Sequence, residues 1–198
     1  MKLRTFALTM AVSLTTAISA QTATLVVNGG GELTGATDVA VLGSVYNVEF
    51  VDGTCFSLFN GCDAVSDFDF ITEADARSAS QALLDQVFLG QFDDDPSLTR
   101  GISSAFSGRA ITPYGFFPSG PARAAASENA LVEAGDFVFI GSISIFGDTS
   151  DSSPATWARW TFTGDIIPAV PLPAGGLLLL SGLAGLAAHK RRKKRAAL

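Results

Sequence analysis

The expected fold rests on one stretch of the chain, Phe137-Val138-Phe139-Ile140-Gly141-Ser142-Ile143-Ser144-Ile145-Phe146. Its first half is apolar on both faces of a strand, and its second half alternates apolar and polar side chains with a period of two. This pattern predicts the strongest β-strand of the chain. After a turn at Gly147–Pro154, the aromatic and β-branched residues of Trp157–Thr163 predict a last strand.

Upstream of this stretch, three shorter segments also read as strands. They are Thr24–Asn28, Gly43–Asp52 and Asp67–Ile71. The first is apolar and ends at a run of glycines, and the other two alternate apolar with polar or acidic residues. The pattern therefore spreads strands over the whole chain between its two ends.

One helix is predicted between these strands. Thr72 followed by Asp75 forms a capping box, and apolar residues then recur at helical spacing as far as Val87. Gly90 suits the exit from the helix. Together the segments predict a mostly β domain with one helix, an α+β fold with a sandwich-like sheet laid against that helix.

The stretch Pro113–Pro118 contains three aromatic residues between two prolines. It can form a turn over the core or an exposed aromatic patch, and the core is the favoured interpretation. Asp93, Asp94 and Asp95, directly before Pro96, are predicted to lie in a loop.

Both ends of the chain carry targeting patterns. Residues 1–23 combine Lys2 and Arg4 with an apolar stretch and small residues at cleavage spacing, which is typical of a secretory signal peptide. Residues 175–189 form an apolar run, and the uncharged segment from Leu172 to Ala188 reaches the lower limit of about 17 residues for a transmembrane helix. The basic tail, residues 190–198, is expected in the cytoplasm by the positive-inside rule.

The segment that precedes this apolar run is Val170-Pro171-Leu172-Pro173-Ala174. With the apolar helix and basic tail behind it, this segment resembles the VPLPA-CTERM sorting domain, a variant of the PEP-CTERM signals of Gram-negative bacteria that make extracellular polymer. The resemblance implies that Val170, Pro171, Leu172, Pro173 and Ala174 are recognised as a substrate by an exosortase, a transpeptidase-like membrane enzyme. The alternative is a plain C-terminal membrane anchor that is never cut.

The segment between the ends, residues 24–169, is strongly acidic. It contains all 19 Asp and Glu residues of the chain, five arginines and no lysine, so its formal charge is −14. Because nucleic-acid binding depends on basic patches that release counterions, this charge argues against a nucleic-acid partner.

Cys55 and Cys62 are the two cysteines of the chain, and they flank Asn60-Gly61. In an exported protein such a pair is typical of one local disulfide. A redox or metal-binding pair is the alternative, but the sequence supplies no histidine nearby as a further ligand.

The residue inventory restricts the chemistry of the exported domain. The single histidine, His189, lies at the edge of the predicted membrane helix, so residues 24–169 contain neither histidine nor lysine. This excludes Ser-His-Asp and Cys-His hydrolases, histidine-ligated metal sites and Schiff-base chemistry in that segment. No cofactor is expected, because the glycine fingerprints of nucleotide-binding loops are also missing from the sequence.

Carboxylates remain as candidate functional groups. A small carboxylate-dependent glycosidase needs two of them across a cleft, and the candidates are Asp67, Asp69, Glu73 and Asp75. Calcium binding is the other alternative, with Asp93, Asp94 and Asp95 as weak candidates, followed by Asp63, Asp67 and Asp69. Neither cluster has EF-hand spacing, and a solvated acidic surface is the favoured interpretation of both.

These patterns predict an exported protein of the cell surface or extracellular matrix that is not an enzyme. Secretion machinery and an exosortase are its expected partners, and it would begin as an inner-membrane-anchored precursor. Exopolysaccharide is a further expected partner, bound through exposed aromatic residues such as Trp157, Trp160 or Tyr114.

Overall fold

Seven strands form one sheet in the computed structural model, which describes residues 22–118, 120–151 and 154–166. The strands are β1 (Thr24–Val27), β2 (Leu33–Val41), β3 (Ser44–Val51), β4 (Ser107–Phe116), β5 (Ala122–Ala130), β6 (Phe137–Ile143) and β7 (Ala155–Asp165). The α-helices are α1 (Cys55–Leu58), α2 (Glu73–Gln86) and α3 (Gln91–Asp94). The fold is therefore mostly β with one main helix, as predicted.

The last strand lies in the middle of the sheet. The strand order is β1-β2-β3-β7-β4-β5-β6, so β7 separates two groups of strands that are each built from nearby segments of the chain. It pairs antiparallel with β3 from Trp157 to Asp165 and parallel with three residues of β4, Arg109 to Ile111. All other pairings in the sheet are antiparallel.

Helix α2 covers one face of the sheet, which we call the helix face. The hydroxyl of Thr72 accepts a hydrogen bond from the backbone N–H of Asp75 and so caps the helix, as the sequence predicts. The buried side of α2 consists mainly of small residues and leucines: Ala76, Ala79, Ser80, Ala82, Leu83 and Leu84. Such small side chains let the helix approach the sheet closely, and phenylalanines fill the remaining space, among them Phe50 and Phe88, whose rings stack at 5.4 Å.

A loop closed by a disulfide covers part of the opposite face, which we call the open face. This disulfide loop comprises residues 53–62, and Cys55 and Cys62 are bonded and buried, with a Cα–Cα distance of 5.6 Å. The predicted disulfide is thus confirmed. Phe59 from the loop packs edge-on against Trp157 of β7, with ring centroids 5.5 Å apart. The loop therefore acts as a small second layer over the centre of the sheet.

Several predicted elements differ from the observed ones. The strand expected at Asp67–Ile71 is absent, because Val65–Asp67 forms a 3-10 helix and the residues after it have no regular structure. All seven strands belong to one sheet, so the expected sandwich of sheets is wrong for the described residues. Asp93 and Asp94 lie in α3 and Asp95 caps its end, whereas a loop was expected at all three.

The sequence analysis also missed three strands, β2, β4 and β5. β4 contains Pro113, which normally argues against a strand. It is tolerated here because the pairing with β7 ends at Ile111, and the register with β5 shifts just after Pro113. Tyr114 is buried, so the core interpretation of Pro113–Pro118 is confirmed at this residue.

The predicted signal peptide, the sorting motif at Val170–Ala174, the membrane helix at 175–189 and the basic tail lie outside the described residues, apart from Thr22 and Ala23 at the end of the first. Within the part that the structure describes, no helix is long and apolar enough to cross a membrane. The described residues belong to one compact unit that spans Gln21–Ile166.

Candidate functional site

A groove of about 300 Å³ lies on the open face, beside the area that the disulfide loop covers. Strands β4, β5 and β6 form its base, and the start of β7 closes one side. Its walls are apolar and consist of Ile111, Phe139 and Ile143. The groove is therefore a hydrophobic concavity of the size that binds small groups in many proteins.

Small side chains on neighbouring strands create this concavity. Ala124 on β5 pairs with Gly141 on β6, and Ala126 pairs with Phe139. Where alanine faces glycine, the sheet surface lacks the branched side chains that would fill the space above it. Phe139 and Ile143 on the same strand rise beside this low area and form its wall.

An ion pair lies at the rim of the groove. Nε of Arg109 donates a hydrogen bond to Oε2 of Glu128 at 2.6 Å, and the guanidinium carbon lies 5.5 Å from the centre of the Phe139 ring. The Glu128 side chain is 11% exposed, whereas that of Arg109 is 49% exposed. Because Glu128 has lost most of its water, this pair matters more to the local structure than an ordinary surface pair.

The lining of the groove is almost entirely uncharged. Arg109 is the charged residue among those that line it, and the remaining lining is aliphatic, aromatic, proline, glycine and serine. Neither a pair of carboxylates nor a histidine lines it. It can hold one apolar group of about the size of a large side chain.

The three aromatic residues named as candidates for binding polysaccharide are buried, whereas binding of the polymer itself stays a prediction. Trp157, Trp160 and Tyr114 are 0%, 4% and 4% exposed. The indole N–H groups of both tryptophans donate hydrogen bonds inside the fold, to the carbonyl of Gly53 and to the hydroxyl of Thr112. The expected exposure of these residues was wrong, because Trp157 is covered by the disulfide loop and Trp160 and Tyr114 belong to the core on the helix face.

The candidate glycosidase carboxylates hold structural positions. Asp67 accepts hydrogen bonds from the backbone N–H groups of Asp63 and Ala64. Asp75 accepts one from the Thr72 hydroxyl, and Glu73 accepts one from the hydroxyl of Tyr114 at 3.1 Å. These three carboxylates therefore serve as caps and as a partner of a buried phenol.

Asp67 and Asp69 have opposite pKa shifts. Hydrogen bonds from the backbone, first that of Ala64, hold the pKa of Asp67 below its usual value. Asp69 is exposed as a residue, yet the protein around its carboxylate removes enough water to raise its pKa. A hydrogen bond from the backbone N–H of Phe162 offsets part of that increase.

The candidate calcium ligands do not converge. Asp95 caps the 3-10 helix Pro96–Leu98 by accepting hydrogen bonds from the N–H and hydroxyl of Ser97. Asp93 and Asp94 lie in the single turn of α3. Within the described residues, no group of three or more acidic, cysteine or histidine side chains is arranged to hold a metal ion.

Sequence reasoning missed the groove. Arg109 and Phe139 attracted no functional interpretation, and Ala124 and Ala126 lie in a segment that was not recognised as a strand. The segment Ala122–Ala130 offered little signal for a strand, because Ala124, Ala125 and Ala126 are consecutive and interrupt any alternation of apolar with polar residues. Comparison of the chain with protein-family models, curated proteins and solved structures found no match.

Replacing Arg109 is expected to destabilise the fold more than replacing the arginine of a matched pair. Arg109→Ala leaves the largely buried Glu128 without its partner, which should cost about 1–3 kcal/mol in the free energy of unfolding. Arg159→Ala leaves Glu49 without its partner, but the Glu49 side chain is 49% exposed and can be hydrated. The cost in the free energy of unfolding should therefore stay below about 1 kcal/mol. Urea unfolding at pH 7 measures both, and equal costs would contradict the role given to the rim pair.

Two aspartate variants should change thermal stability in opposite directions. A raised pKa means that charged Asp69 disfavours the folded state at neutral pH, so Asp69→Asn should raise the Tm at pH 7. That gain should vanish as the pH falls below about 4. A lowered pKa means that charged Asp67 favours the folded state, so Asp67→Asn should lower the Tm at pH 7, and this deficit should disappear in acid. Melting curves between pH 3 and pH 7 would show whether the two signs agree.

Proposed function

We propose that this chain is an exported protein of the cell surface or extracellular matrix, and that its domain acts by binding. Residues 1–23 direct secretion, and the helix at 175–189 holds the precursor in the inner membrane with its basic tail in the cytoplasm. An exosortase-type enzyme then recognises Val170–Ala174 and cuts the chain there. The polymer matrix is the destination that the sorting signal implies.

One observation supports this proposal most directly. β1 begins at Thr24 and β7 ends at Asp165, so both expected cuts lie just outside the sheet. Removal of the two ends would leave every strand and the Cys55–Cys62 disulfide in place. A disulfide also fits an oxidising compartment, because such bonds are rare in reducing ones.

The mode of action follows from the chemistry of the groove. It offers apolar contact and one neutralised ion pair, and the four candidate carboxylates belong to caps, to a tyrosine contact or, for Asp69, to a hydrogen bond with the backbone of Phe162. Neither feature favours turnover of a substrate. A domain with formal charge −14 also remains separate from anionic surfaces, which suits a protein that stands outside the cell.

A double substitution in the sorting signal tests the export pathway. Pro171→Ala with Pro173→Ala should leave the C-terminal helix and tail attached, because the signal loses both rigid residues that the enzyme is expected to recognise. The mature wild-type protein should lack that segment, as should the control Pro168→Ala, which changes a proline just outside the signal. Intact mass spectrometry of protein released from the cell surface distinguishes the forms.

Two results would contradict the sorting proposal. Equal processing of the double variant and the wild type would show that Val170–Ala174 is not the signal. A wild-type surface protein that ends at Leu198 would instead indicate a plain membrane anchor.

Incubation with the host's own extracellular polysaccharide tests binding against catalysis. The mature protein should be retained by the polymer without release of new reducing ends, and Asp69→Asn should behave in the same way. Release of reducing ends that is abolished by replacing one carboxylate would identify a glycosidase instead.

A further inference from the structure

β6 forms one edge of the sheet, and beyond the contact of Arg77 with its start it carries little of the usual protection of an edge strand. It pairs with β5 from Phe137 to Ile143 without a register shift, and its other side has no strand partner in the described residues. Its seven residues include neither proline nor a charged side chain. Regular, uncharged edges of this length are templates for pairing with another strand.

The opposite edge is protected. β1 has only four residues, and its register with β2 shifts between Val26 and Val27. Short and bulged edge strands resist pairing with other chains. At β6 the one side chain seen on the backbone is that of Arg77, which donates a hydrogen bond to the carbonyl of Val138 near the start of the strand. The two edges of this sheet therefore differ in their capacity to add a strand.

An exposed apolar strip runs along β6 on the open face. It begins at Phe137, whose ring lies 5.8 Å from that of Phe139, continues past the groove, and ends at Phe146 beside Phe56 with ring centroids 5.9 Å apart. Phe137, Phe146 and Phe56 are 53%, 70% and 55% exposed. A phenylalanine buries about 150–250 Å² when fully covered, so the three rings leave several hundred Å² of apolar surface in water. The largest apolar patch on a typical monomer has about this area and is often functional.

The charge distribution identifies the partner that can approach this strip. The domain carries a formal charge of −14, whereas β6 and the strip are uncharged and the adjacent Arg109–Glu128 pair is neutral as a unit. An anionic lipid or polymer would bring its charges to the contact itself, where the surrounding acidic surface repels them. A second copy of this chain meets the strip with an equally neutral edge, and salt screens the repulsion between the two acidic bodies.

We infer that β6 pairs antiparallel with β6 of a second copy, about a two-fold axis perpendicular to the sheet. Such an interface uses the same surface of both copies and joins the two seven-stranded sheets into one. Main-chain hydrogen bonds between the edges supply affinity. The antiparallel arrangement places the Phe137 end of one strand beside the Ile143 end of the other, so the two apolar strips lie side by side on the same face.

Sedimentation velocity of the full chain in mild detergent tests this inference. The wild type should form a dimer that strengthens with protein concentration and with salt. Phe137→Lys should weaken dimerisation at least about tenfold, because each introduced ammonium group would lose water beside the apolar Ile143 end of the partner strand. Phe162→Lys is the matched control, since Phe162 is 52% exposed and lies on β7, away from the β6 edge. This control should dimerise like the wild type.

Ser142→Lys provides a second variant, because Ser142 is exposed on β6 and its replacement leaves the apolar core untouched. It should weaken dimerisation as Phe137→Lys does, and hydrogen exchange should show β6 amides that are more protected in the dimer. A chain that stays monomeric at all concentrations overturns the inference. So does a dimer that survives both β6 variants, or one that Phe162→Lys weakens equally.

Discussion

The insertion of β7 between β3 and β4 is the constraint on which the rest of the structure depends. Its two tryptophans point to opposite faces, and each is held by a hydrogen bond, Trp157 to the carbonyl of Gly53 and Trp160 to the hydroxyl of Thr112. Glu49 and Arg159, which pair across β3 and β7, are 110 residues apart in the chain. The central strand is thus the last of the seven described strands along the chain, and the entropy of closing this long loop must be offset by burying both indoles.

The two faces of the sheet are covered by layers of different kinds, and this difference creates the groove. A long helix with small buried residues lies along the helix face, where Ala79 and Ala125 both belong to the core. On the open face the cover is the short disulfide loop, which is too small to enclose three strands. The uncovered part lies above Ala124 and Gly141, where the sheet itself is thinnest. The groove is therefore a consequence of incomplete cover over small side chains.

The many acidic groups of the domain have local structural roles where the structure describes them in detail. Asp67 and Asp95 cap turns, and Glu73 accepts a hydrogen bond from the buried Tyr114. The acidic composition that suggested catalysis or calcium binding is thus distributed among separate positions. The seven residues of β6, by contrast, carry no charge.

Local patterns along the chain were enough to determine the main helix with its Thr72 cap, the disulfide and four of the strands, because each depends on residues close in sequence. The targeting segments at both ends are also local patterns and remain predictions. Strand β5 was not recognised, because alanine has no local preference for a strand. Its alanines are explained only by the tertiary structure, where α2 packs on one face of β5 and the groove lies on the other. Pro113 likewise argued against a strand at β4. Its position is explained only by the pairing of β4 with β7, which ends at Ile111 before the proline.

The strand with the strongest pattern, β6, lies at the edge, whereas the weaker patterns of β4 and β5 lie inside the sheet. Hydrophobic periodicity reports how much surface a strand can bury, but its neighbours decide how much it does bury. Those neighbours are set by the long-range pairing of β7, so the sequence determined the elements while only the tertiary structure decided their order, the groove and the open edge.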